Sequence, residues 1–117
     1  MNHRKAGSNA EGEAIVYLEQ AGYKILKRNF TFGRVGEIDI ICKQDDILVF
    51  VEVKARMNHE FGPPEASITQ KKIRSLKRTA EGYLYVNKID NTPCRFDVIA
   101  IEYTEGIQNI RHLINAL

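Results

Sequence analysis

The stretch "GEIDIICKQDDILVFVEVKAR", residues 36–56, holds two apolar runs separated by a polar turn. Runs of this length and β-branched content read as buried strands, and the short "QDD" connection joins them as an antiparallel hairpin. Both runs carry charge where a buried strand carries Val or Ile. Glu37 and Asp39 interrupt the first, and Glu52 and Lys54 interrupt the second. Side chains alternate along a strand with period two. Val49, Val51 and Val53 therefore point to one face, and Phe50, Glu52, Lys54 and Arg56 to the other. By the same rule Glu37 and Asp39 share one face of the preceding strand, and Ile38 and Ile40 the opposite one. Pairing as a hairpin then sets Asp39 beside Glu52. Two carboxylates about 5 Å apart repel by roughly 3 kcal/mol at an effective dielectric of 20. A domain has only about 5–15 kcal/mol of net stability, so the pair is costly unless it binds a cation or stays hydrated. The ordinary alternative is a solvated edge or a Glu52–Lys54 ion pair. Glu-x-Lys alone is common in strands; an Asp separated from it by twelve intervening residues makes the pattern more specific.

The remaining elements read outward from this hairpin. "SNAEGEAIVYLEQAGY" has helical spacing, with a capping box at Ser8 and Glu11, a stop at Gly22, and a buried stripe of Ala10, Ala14, Leu18 and Ala21. "YKILKRNFTF" reads as an edge strand and "GRVG" as a turn. Gly62, Pro63 and Pro64 make "MNHEFGPPEAS" a loop. A second helix spans roughly 69–86 with Ile73, Leu76, Ala80 and Leu84 inward. "RFDVIAIEY" is a fourth strand and "IRHLINAL" a fifth. The order α-β-β-β-α-β-β predicts an α/β sandwich: a mixed central sheet with a helix on each face.

The 117 residues make one domain, 1–117, with one core. The chain is 44% hydrophobic and 27% charged, a normal globular balance. Its longest unbroken apolar run, 47–51, is far short of a membrane span, and no apolar segment follows the basic start "MNHRK" to make a signal peptide. A cytoplasmic location without a membrane partner is expected. Cys42 and Cys94 lack any zinc spacing and read as buried or half-buried thiols. His3, His59 and His112 are isolated. The net charge of +2 and pI near 8.6 permit a nucleic-acid partner without demanding one.

Paired carboxylates beside a lysine suit metal-dependent phosphodiester hydrolysis. Mg²⁺ prefers carboxylate oxygens and keeps several waters. A bound metal lowers the pKa of its water, and a neighbouring lysine neutralises transition-state charge. "GEIDII…VFVEVKAR" resembles the core of the PD-(D/E)xK, or restriction-endonuclease-like, nucleases. The whole chain resembles the bacterial YraN-type family, relatives of archaeal Holliday-junction resolvases, through "GEAIVYLEQAGYKILKRNF", "GEIDII", "VFVEVKAR", "FGPPEAS", "RFDVIAI" and "HLINAL". This resemblance implies the restriction-endonuclease-like fold and an endonuclease acting on DNA, branched DNA among its substrates, with Mg²⁺ or Mn²⁺ as cofactor. It implies catalytic roles for Asp39, Glu52 and Lys54. It also implies a metal shell of Asp39, Glu52 and the helix-one acid Glu13, with the Val53 carbonyl completing it. Ile38 stands where the proline that names the motif would be. The resolvase relatives imply a homodimer, because cutting two strands needs two sites. The alternatives are a non-catalytic nucleic-acid-binding module and an interaction protein keeping a relic metal site.

Lys71, Arg74 and Arg78 fall on one face of the second helix and are the expected phosphate contacts, with Arg56 extending the Lys54 face. Such a charge run is otherwise a solvated helix face. Glu37 is a candidate outer ligand, and Gln70 a candidate neighbour of the lysine. Asp97, between Phe96 and Val98, reads as a structural acid paired with a base.

Overall fold

The computed structural model describes residues 3–57 and 62–117, with side chains from residue 9 onward. His59 and the His3 side chain lie outside these. A five-stranded mixed sheet runs in the order β1-β2-β3-β4-β5. Its strands are β1 (Lys24–Phe32), β2 (Gly36–Gln44), β3 (Ile47–Arg56), β4 (Cys94–Thr104) and β5 (Ile107–Leu113). Helix α1 (His3–Gln20) covers one face and α2 (Gln70–Val86) the other. β3 and β4 are parallel; the other neighbours are antiparallel. The mixed sheet with a helix on each face agrees with the element order read from the sequence. Among the described residues no helix is long and apolar enough to cross a membrane.

Each helix buries one stripe. Ala10, Ala14 and Leu18 of α1 pack on Ile40, Cys42, Val49, Val51, Ile99 and Ile101. Leu76, Ala80 and Tyr83 of α2 pack on Ile38, Ile41, Leu48 and Phe50. α1 ends at Gln20, and the chain leaves it through Gly22, whose φ of 93° only glycine adopts cheaply. There the Tyr23 N–H donates to the Leu18 carbonyl and the Gly22 N–H to Glu19, which satisfies carbonyls the helix leaves orphaned. α2 starts at Thr69, whose hydroxyl accepts from the Lys72 N–H at 3.1 Å.

Several expectations need correction. α1 begins at His3, so Ser8 lies inside the helix and is not its cap. Ala21 is exposed, because the chain has already left the helix there. β5 starts at Ile107 and stops at Leu113. The Glu105-Gly106 turn, with φ of 51° and 77°, pairs Thr104 with Ile107 and closes a tight hairpin. Cys42 is buried, and burial pushes its thiol up to about 12, but Cys94 is exposed; both are free. Ile38 and Ile40 do not share a face: Ile38 packs under α2 and Ile40 under α1. The alternation breaks at Asp39, beside Asn29 of β1, which sits at φ 51° between the pairs Arg28↔Ile40 and Phe30↔Ile38. A left-handed residue inside a strand re-aims its neighbours, as a bulge does.

Asp97 matches its reading as a structural acid. It is 0% exposed, 3.0 Å from Arg95 Nε and 2.7 Å from His112 Nε2, and it accepts from the Asn115 N–H at 2.9 Å. Burial pushes this carboxyl up, but the His112, Arg95 and Asn115 hydrogen bonds outweigh it and hold the group below its usual range.

Candidate metal centre

The reversal at Asp39 opens a fork in the sheet. The β2–β3 ladder runs from Gln44↔Ile47 to Ile40↔Val51 and stops, while β3 continues along β4 as far as Arg56↔Glu102. Past the last rung the Val53 N–H has lost its strand partner. Asp39 Oδ2 takes it at 2.9 Å, which removes the cost of a backbone donor left unpaired. The side chain thus does what the strand no longer does, and it is held in the mouth of the fork.

Glu52 stands across from it. Continued by one rung, the register would place Asp39 opposite Glu52, and the two carboxyls share a hydrogen bond. Glu52 is 4% exposed. Burial pushes its carboxyl up, and the charge and hydrogen bond of Asp39 push it further, to about 8; Lys72 and Lys54 pull the other way. The ammonium groups lie 3.6 Å (Lys72) and 3.9 Å (Lys54) from Glu52 Oε2. By themselves these ion pairs would argue for an ionised Glu52. Both distances are long, and both lysines keep part of their hydration, so burial and Asp39 win. Burial and the neighbouring Asp39 thus favour the protonated form of the Glu52 carboxyl.

The structure brings together Asp39, Glu52 and Lys54, three of the residues singled out in the sequence, and adds Lys72. The sequence did carry a signal for Lys72. It continues the inward stripe of Leu76, Thr79 and Ala80 by one turn toward the start of α2, where an apolar residue would be expected.

Glu13 is placed elsewhere. Its carboxylate accepts from the Tyr103 hydroxyl at 2.6 Å and from Gln108, so it is committed to the β4–β5 hairpin. The helix acid nearer the fork is Glu11. Burial raises its pKa, and the charges of Asp39 and Glu37 raise it further. The Asn29 amide, turned to pair donors with acceptors, donates to Glu11 at 3.1 Å and to Glu37 at 3.2 Å. Gln70 is exposed at the first turn of α2. Arg56 pairs with Glu102 in register, and its Nε is buried without a hydrogen-bond partner among the described residues.

Lys71, Arg74 and Arg78 share one wall of a groove of about 640 Å³, and Arg34 and Val35 of the β1–β2 turn form the other. Lys71, at one end of the groove, precedes Lys72 on α2. Its walls are tied: the Ser75 hydroxyl donates to the Val35 carbonyl at 2.8 Å. A Cβ on Gly36 would lie 2.3 Å from Ser75 Oγ and 2.7 Å from Thr79 Oγ1, so only glycine lets the turn sit this close to α2.

Among the described residues no group of three or more His, Cys, Asp or Glu could hold a metal ion. Two carboxylates do not make a zinc or calcium cage. They do suit Mg²⁺ or Mn²⁺, which keep waters and take one or two carboxylates together with substrate phosphates.

Fold and fork together define a mixed α/β protein with a carboxyl pair, Glu52 buried and Asp39 half-buried, flanked by lysines, and with a basic groove along α2. The chain belongs to the family described as Uncharacterised protein family UPF0102, whose pattern matches residues 10–101. It is 46% identical over 117 residues to a UPF0102 protein of Lachnoclostridium phytofermentans, covering 99% of this chain and 98% of that one. It is 42% identical over 116 residues to a UPF0102 protein of Clostridioides difficile, covering 99% of each. A UPF0102 protein of Geobacter metallireducens is 39% identical over 116 residues, covering 99% of this chain and 94% of that one.

Proposed function

We propose that this chain is a metal-dependent endonuclease of the restriction-endonuclease-like, PD-(D/E)xK class, acting on DNA, branched DNA included. The observation that carries the reading is the fork. Asp39 crosses it to the Val53 N–H and shares a hydrogen bond with Glu52, while Lys54 and Lys72 approach the same carboxyl. Nothing in the packing of a sheet requires two acids and two lysines at the end of a ladder. Asp39 and Glu52 would hold Mg²⁺ or Mn²⁺, which supplies an acidified water and neutralises phosphoryl oxygens. Lys54, tethered beside Glu52, stabilises the charge that develops on the phosphoryl group. The basic groove brings the phosphate backbone to the fork. Two copies of the chain would supply the two sites that a double-strand cut needs.

A second reading is a nucleic-acid-binding module keeping a relic site. It is favoured by Glu13, which is committed to Tyr103 and Gln108 instead of joining the acid pair. A cleavage panel over single-stranded, duplex, flap and four-way-junction DNA with Mg²⁺ or Mn²⁺ separates the two, with Glu52→Ala as control. Cleavage lost in the control supports the nuclease; binding without cleavage on every substrate leaves the module.

Two substitutions divide the labour within the site. Lys54→Met is expected to leave metal affinity within about tenfold, since an ammonium is no ligand, and to lower cleavage by about 10²-fold or more. Calorimetry and cleavage on one preparation decide it, and unchanged cleavage removes the lysine from the chemistry. The triple change Lys71→Ala, Arg74→Ala, Arg78→Ala should reduce the slope of log affinity against log salt by about one unit for each phosphate no longer neutralised. Its effect should be similar across DNA sequences, because groups that meet only phosphate carry no base information. The fold should survive, as Ala is the better helix former. Filter binding at several salt concentrations measures the slope; an unchanged slope returns these residues to a solvated face.

A further inference from the structure

The basic groove does not end at Arg78. It continues into a second hollow of about 500 Å³ that shares Val35 and Arg78 with the first and reaches Phe32, Glu81 and Tyr85. Along α2, Lys71, Arg74, Arg78 and Tyr85 follow one another at three, four and seven residues, so they stay on one side of the helix. From Lys71 to Tyr85 the track is roughly 21 Å long at 1.5 Å per residue.

The two halves differ in chemistry. The half near the fork is cationic: Arg34, Lys71, Arg74 and Arg78. The far half is aromatic. Tyr85 is 80% exposed, an unusual state for so large a ring. Phe32 forms the floor, its ring pressed on the helix where Gly82 has no side chain; a Cβ there would lie 2.5 Å from the ring. Glu81, the acid of this half, repels phosphate and can accept from base amino groups.

We propose that this track binds a single-stranded nucleic-acid segment, with its phosphates on Arg34, Lys71, Arg74 and Arg78 and an unpaired base stacked on Tyr85. The inference rests on the nucleic-acid reading above and names the form of the substrate. A positive groove followed by an exposed aromatic is the combination that single strands require, since the groove follows the backbone and a ring takes any base face. In a duplex the base faces are covered by their neighbours, so Tyr85 would have nothing to stack on. At the 3.4 Å spacing of a stacked strand, the track holds about six nucleotides.

The test is fluorescence anisotropy in EDTA, which separates binding from any metal chemistry. Labelled oligo-dT of about 4, 8 and 12 nucleotides is compared with a blunt duplex. The wild-type chain should bind the two longer strands at least tenfold more tightly than the duplex, and the shortest more weakly. Tyr85→Ala should weaken single-strand binding by about tenfold, the usual worth of one stacked base, with an unchanged salt slope, and leave duplex binding alone. Tyr85→Phe, which keeps the ring, should restore the affinity. An abasic residue in the strand should abolish the difference between wild type and Tyr85→Ala. Equal loss on strand and duplex, or no loss with Tyr85→Ala, overturns the single-strand assignment but spares the nucleic-acid reading. Failure to bind any oligonucleotide overturns both; binding of polyglutamate alone would mark the track as a site for an acidic protein instead.

Discussion

At about pH 9, Glu52→Gln is expected to make the metal-free protein more stable, by up to about 5 kcal/mol. A carboxyl whose pKa is raised by folding holds its proton more tightly in the native state than in the unfolded one. Its stabilising effect is present at acid pH and is lost as pH rises from the ordinary value of 4.5 through about 8. Gln, neutral at every pH, escapes that loss. Near pH 5 both proteins carry a neutral side chain at position 52, and the difference should shrink to within about 1 kcal/mol. Mg²⁺ should reverse the alkaline order: the wild type gains stability by binding it, and the variant, short of one ligand, does not. Urea unfolding at the two pH values, with and without Mg²⁺, measures all four states. A variant that is less stable than the wild type at alkaline pH would mean that the Lys54 and Lys72 ion pairs, not the carboxyl repulsion, dominate the fork.

Asp97→Ala should do the opposite and at every pH above the acid range. The carboxylate is fully buried and serves Arg95, His112 and the Asn115 N–H. Removing it leaves the guanidinium and the imidazole of a largely buried cluster without their acid, a loss of about 3–5 kcal/mol. Because folding lowers the Asp97 pKa, the wild type's advantage is complete above the ordinary carboxyl value and fades as pH falls through the folded one. Chemical denaturation at neutral and acid pH tests it. A cost below about 1 kcal/mol would show that water replaces the carboxylate at little expense.

The sequence made the acid pair legible because a hairpin register is short-range information. Once the Asp45-Asp46 turn pairs Gln44 with Ile47, counting back along both strands carries Asp39 toward Glu52. The fork was not legible. It depends on Asn29 adopting a left-handed φ in the neighbouring strand, and Asn is only one of several residues that do so. Period-two counting therefore put Ile38 and Ile40 on one face when they lie on two. The helix acid was misplaced for a related reason. Glu11 and Glu13 both border the α1 stripe, and which of them approaches β2 depends on how the helix crosses the sheet, a tertiary fact. Lys72 could have been found by projecting α2 onto a wheel. The aromatic end of the groove could not, because Phe32 and Tyr85 come from elements that only packing brings together.

The single parallel pairing in the sheet also bears on how the chain reaches this state. β1–β2, β2–β3 and β4–β5 are hairpins whose partners are close in sequence, and hairpins close within about 1–10 μs. β3 and β4 can meet only after the chain between them, with the whole of α2, has been brought round, and the entropy of closing that loop comes due before its contacts form. The carboxyls of Asp39 and Glu52 would then face each other early, in a hairpin not yet covered by α2, with Lys72 still distant. Among the slow-forming contacts is the one that adds Lys72 to Lys54, which the hairpin already carries. In the nascent chain a divalent cation or a proton would have to stand in for Lys72, so the order of assembly, and not only the finished site, should respond to Mg²⁺ and to pH.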